Sequence, residues 1–117
     1  MNTMGGIEQK GWQGVQALLA ERFGKIPDME GILFLIGVNE YGREPKRNKF
    51  TKEQKQDLMH VAICTVLSAS GFYEFQHKDE DGWPHFRQLK ELPAMPLHEQ
   101  ENFLKDHILF YFEQQHF

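Results

Sequence analysis

The chain has 117 residues, of which 40% are hydrophobic, 26% charged and 13% aromatic; this composition suits one globular domain over residues 1–117 and excludes global disorder. A single cysteine, Cys64, excludes an intrachain disulfide framework and points to a reducing cytoplasm rather than secretion. The formal net charge is -4, with nine Lys/Arg against seven Asp/Glu up to residue 56 and four against ten beyond it, so the basic footprint of a general nucleic-acid binder is missing.

The longest apolar run, Gly31 to Val38, is far shorter than the roughly 20 residues of a bilayer span. Met1 to Glu8 carries neither the basic start nor the apolar run of a secretory signal. A cytoplasmic protein with no membrane partner is therefore expected.

In chain order, Trp12, Val15, Leu18, Leu19 and Phe23 recur at spacings of three and four and predict an amphipathic helix ending at Gly24. Gly11 and Gly14 weaken its first turns, so its start falls between Ile7 and Gln13. Pro27 and Asp28 open a second helix over 28–41, apolar all round and stopped by Gly42. A buried strand over Ile32 to Val38 is the alternative for that run. Thr51 and Gln54 have capping-box spacing and start a third helix over 51–70, ended by Gly71.

Two aromatic-rich stretches, Phe72 to His77 and Trp83 to Gln88, flank the turn pair Asp81-Gly82 and predict a small hairpin. A short helix opening at Pro84 competes with it. After Pro93 and Pro96, Leu97 to Gln115 reads as a fourth helix with an acidic first turn. The expected fold is thus mainly α: a compact four-helix domain with a short β-hairpin or an extra short helix between helices 3 and 4, and a core of Trp12, Val15, Leu19, Ile32, Leu35, Ile36, Leu58, Val61, Ile63, Leu67, Phe103, Leu104, Ile108 and Tyr111.

The runs GKIPDMEGILFLIG (Gly24 to Gly37), QDLMHVAICTVLS (Gln56 to Ser68) and DGWPHF (Asp81 to Phe86) resemble a small bacterial helical family with no assigned activity. The resemblance spans most of residues 12–117 and implies a bacterial cytosolic protein. It transfers no ligand, cofactor or catalytic residue.

Several constellations could carry chemistry. A carboxylate and a histidine three apart share a helix face, as in helical di-metal sites; Asp57 and His60 have that spacing on the third helix, and Glu30 could add a ligand from the second. His60 and Cys64, four apart, could couple an imidazole to a thiol, but no oxyanion loop accompanies them. Paired zinc-ligand spacings are absent. Arg43, Lys46, Arg47, Lys49 and Lys52 precede the capped start of the third helix and could hold an anion with its exposed amides. Trp83, His85 and Phe86 offer stacking surfaces without an adjoining cationic cluster, so a packed hairpin is expected and nucleic acid is not an expected partner.

The fourth helix carries apolar side chains around most of its circumference, with Phe110, Tyr111 and Phe112 as the candidate self-association surface of a homodimer. With no complete catalytic set, the sequence favours a small non-enzymatic interaction or adaptor protein that self-associates and needs no cofactor. The alternative is a metal-binding helical protein using carboxylate and histidine ligands.

Overall fold

A computed structural model describes residues 11–45 and 49–115. Among them the chain forms α1 (Trp12–Phe23), α2 (Met29–Tyr41), α3 (Lys52–Ser68), β1 (Tyr73–Lys78), β2 (Pro84–Gln88) and α4 (Leu97–Gln115). The fold is mainly helical, and the residues between α3 and α4 form an antiparallel hairpin rather than a fifth helix. Contacts divide it into two units, one containing α1 and α4, the other α2, α3 and the hairpin.

Local signals decide where the elements begin and end. At the start of α3, Gln54 N–H donates to Thr51 Oγ1 at 3.1 Å while Thr51 N–H donates to Gln54 Oε1 at 2.9 Å, closing the capping box. Gly42, with φ +74°, takes the left-handed conformation that ends α2, and its N–H donates to the Val38 carbonyl at 2.9 Å. The first helix starts at Trp12, toward the late end of its expected range, because Gly11 ahead of it takes a non-helical backbone with φ +86° that suits glycine.

In the Met29–Met95 unit, α2 meets α3 at Gly37. A Cβ on Gly37 would overlap the Leu58 carbonyl group, lying 2.6 Å from its carbon and 3.0 Å from Leu58 Cα. The two helix backbones come this close only because Gly37 has no side chain. Leu58 is consequently fully buried, and Tyr41 and Phe50 pack with it, flanked by the half-buried Phe34, Val38 and Trp83. Phe50 meets Phe34 and Tyr41 edge-on, each at 6.1 Å between ring centroids. Tyr41 in turn stacks on Trp83 at 4.3 Å, and its hydroxyl donates to the Asp81 carbonyl at 3.4 Å.

Of the residues expected in the core of α2 and α3, Ile32, Ile36, Leu58, Val61 and Leu67 are buried. Leu33, Cys64 and Val66 are buried, whereas Leu35 and Ile63, expected in the core, are only half-buried. The centre of α2 and the stretch of α3 from Leu58 to Leu67 are rich in apolar residues on several sides, so periodicity leaves the edges of the buried face open and the Gly37 crossing sets them.

In the other unit, α1 contacts α4. The buried side chains are Val15 and Leu19 from α1 and Ile108, Tyr111 and Phe112 from α4, with Lys105 Nζ 5.1 Å from the centroid of the half-buried Trp12 ring. Phe103 and Leu104 are half-buried rather than core. Of the three residues expected to form a self-association surface, only Phe110 is exposed; Tyr111 and Phe112 are buried. They sit where Ile108 already points inward, one helical turn along the same face.

Gly37→Ala places a methyl group against backbone that cannot rotate away. It is expected to destabilise the protein by about 3 kcal/mol, the upper part of the usual range for overpacking. Urea unfolding should show a lower midpoint with an unchanged slope; an unchanged midpoint would mean that α2 and α3 can separate at no cost.

Candidate functional site

The hairpin is organised by one carboxylate. Asp79 Oδ1 accepts from the amides of Asp81 and Trp83, each at 3.0 Å, and Oδ2 lies 2.9 Å from His85 Nε2. The Asp79 N–H donates to the Trp83 carbonyl at 3.0 Å, and Gly82 N–H to the Asp79 carbonyl at 2.9 Å. An Asx side chain of this kind substitutes for backbone in closing a turn. Gly82 completes it with φ +88°, and the guanidinium end of Arg43 occupies the space where a Cβ on Gly82 would stand.

Register places the remaining side chains. Phe75 pairs with Phe86 and His77 with His85, so Gln76 is the extra residue of a β-bulge. A regular ladder would set Gln76 opposite His85. The bulge brings His77 there instead, and the two imidazoles stack at 4.9 Å with planes 3° apart. Glu74 and Arg87, also paired across the strands, form an exposed ion pair at 2.9 Å.

Between α3 and this hairpin lies an open cleft of about 440 Å³. Asp57, His60, Val61 and Cys64 line it from α3, Tyr73 from β1, Asp79 and Trp83 from the turn, and Pro84, His85 and Phe86 from β2. Spacing on α3 puts residues 57, 60, 61 and 64 on one helix face, and alternation on the strands turns Tyr73, Pro84 and Phe86 to the same side of the hairpin.

The thiol in the cleft is not poised for attack. Cys64 Sγ lies 3.5 Å from His60 Nε2, yet only 1% of the residue is exposed and burial pushes the thiol up to about 11. Desolvation disfavours the thiolate, which is the nucleophilic form. The His60 and Cys64 pair that the spacing suggested is thus present as a contact, with the thiol buried.

Asp57 and His60 both line the cleft, but Glu30 does not join them. It is exposed in the first turn of α2, about two turns from the Gly37 crossing that brings α2 to α3. Among the described residues no group of three or more His, Cys, Asp or Glu side chains is placed to hold a metal ion. Of the expected anion-binding residues, Arg43 is laid on Gly82, Lys49 and Lys52 are exposed, and Lys46 and Arg47 lie outside the described residues. The Gln54 amide at the start of α3 is already bonded to Thr51.

The sequence singled out Asp57, His60, Cys64, Trp83, His85 and Phe86 but not their common cleft, and it passed over Tyr73 and Asp79. The spacing of Asp79 ahead of Asp81-Gly82 is the one local signal that could have marked it, as a turn-closing side chain. Compared with protein families, with curated proteins and with solved structures, this chain matches none.

Two measurements check this geometry. Cys64 is expected to resist a thiol-specific disulfide reagent in the folded protein and to react fully once denatured; rapid reaction in the native state would contradict its burial. Asp79 is held below the usual carboxylate range, first by the His85 hydrogen bond and then by the Trp83 amide. A depressed folded value gives support that is complete above the ordinary carboxylate range and is lost as falling pH protonates the folded carboxyl. Asp79→Asn should therefore show a shallower acid loss of stability than wild type in urea unfolding at stepped pH, and parallel acid limbs would remove Asp79 from that role.

Proposed function

We propose that this chain is a non-enzymatic binding protein whose recognition surface is the cleft between α3 and the hairpin. The observation that carries this reading is the composition of that cleft. Its volume of about 440 Å³ lies in the range of small-ligand sites, and aromatic walls with a few converging polar groups are their usual lining. The acid, imidazole and thiol side chains there include no activated nucleophile, since Cys64 is withheld by burial. A reducing, cytoplasmic setting suits that unpaired thiol.

Titrating a mixture of small aromatic and polar fragments into isotopically labelled protein tests the reading. Amide and indole shifts should concentrate on residues 57–64, 73 and 79–86. Shifts concentrated on other residues, or none at all, would overturn it.

Self-association through α4 is a second reading, favoured by Phe110, which is 47% exposed on a helix otherwise rich in half-buried and buried apolar side chains. Two-fold pairing would bury the same residue on both copies. Phe110→Glu is expected to keep the fold and abolish a dimer seen by light scattering, whereas Phe112→Glu would unfold the chain because it buries a charge. A wild type that stays monomeric at high concentration refutes the dimer.

A further inference from the structure

The charges that line the cleft select its ligand. Its formally charged side chains, the histidines apart, are Asp57 and Asp79; neither lysine nor arginine is among the lining residues. Three aromatic rings, Tyr73, Trp83 and Phe86, share the same walls. Tyr41 covers one side of the Trp83 indole by stacking at 4.3 Å, which holds the ring in place while the remainder of it faces the cleft.

Carboxylates beside aromatic walls are complementary to organic cations. The negative faces of aromatic rings attract ammonium and guanidinium groups, most strongly at Trp, and a carboxylate adds a charge-assisted hydrogen bond. We propose that the cleft binds a small free organic cation, an amine or guanidine, through the aromatic rings of Trp83, Tyr73 and Phe86 and the carboxylates of Asp57 and Asp79. This inference rests on the reading of the cleft as the binding surface and adds the chemical class of the ligand.

The two carboxylates play different parts. Asp79 has both oxygens engaged, by the Asp81 and Trp83 amides and by His85, so it contributes a fixed negative charge more than a free acceptor. The same bonds favour its ionised form. Asp57 is exposed, makes no hydrogen bond or ion pair with another described residue, and is the acceptor open to a ligand. Anionic occupants would meet like charge from both residues, and an apolar one would strip water from two carboxylates with nothing in return. A cation offsets that cost. Arg43, packed on Gly82, and Lys78, beside the turn at the end of β1, do not line the cleft.

The test compares four ligands of similar size with short unbranched alkyl chains, n-butylammonium, n-butylguanidinium, butyrate and n-butanol, each titrated into labelled protein at low salt and mildly alkaline pH. The Trp83 indole N–H and the residue 57–64 amides report binding. Both cations should saturate these shifts, weaken as salt is added because the site is partly exposed, and lose about tenfold in affinity in Asp57→Asn, the factor that one charge-assisted hydrogen bond supplies. Asp57 is exposed and supports no other described side chain, so that variant keeps its fold, which its amide spectrum verifies. Equal or stronger binding of butyrate or butanol at the cleft would overturn the cation inference and leave the cleft as the binding surface. Absence of cleft shifts with all four would overturn both. Binding of an arginine-containing peptide at the cleft, with neither free cation bound, would overturn the assignment to a free small molecule.

Discussion

The contact of Gly37 with the backbone of Leu58 is the constraint on which the Met29–Met95 unit depends. Two helices whose backbones approach this closely cannot rotate or slide without opening a gap or a clash, because the residue at the crossing is bare and its neighbour is a carbonyl group. Everything built on them inherits that geometry. Leu58 is sealed under Tyr41 and Phe50, Tyr41 reaches across to stack on Trp83 and bond the Asp81 carbonyl, and the hairpin turn is thereby tied to the end of α2. Interiors packed at crystalline density transmit such a restraint because side chains have no free volume to absorb a shift.

The candidate site is a consequence of that tie. With its turn held, the hairpin lays Tyr73, Pro84 and Phe86 toward α3, and the face of α3 carrying Asp57, His60 and Cys64 becomes the opposite wall. Burial then sorts the polar groups by depth. The thiol is covered and kept protonated, whereas Asp57, His60 and His85 stay exposed. The outcome is a cleft whose Asp57, His60 and His85 meet water while its one thiol does not.

The bulge at Gln76 shows how a single residue changes what a strand presents. Side chains alternate strictly, so one extra residue exchanges the faces of everything after it. His77 thereby leaves the face of Phe75 and joins His85, Glu74 and Arg87. That exchange depends on which register the two strands adopt, and both registers satisfy the same local preferences.

Local chemistry in the sequence marked the four helices and most of their ends, and offered the hairpin as one of two readings for the residues after Gly71. The Thr51 and Gln54 box, the glycine stops and the Asp81-Gly82 turn act through contacts among a few neighbouring residues, so they are visible without knowledge of the tertiary fold. The pairing of Asp57 with His60 on one helix face was legible for the same reason, since it follows from helical pitch. That Leu35 and Ile63 stay half-buried while Leu33, Cys64 and Val66 are covered, that Glu30 stays apart from Asp57, that Phe110 alone of its trio is exposed, and that Tyr73 and Asp79 complete a cleft were decided only by tertiary structure. The segments concerned are apolar nearly all round or separated by many residues. Periodicity has no preferred direction in such segments, and the crossing of two helices at a glycine supplies one.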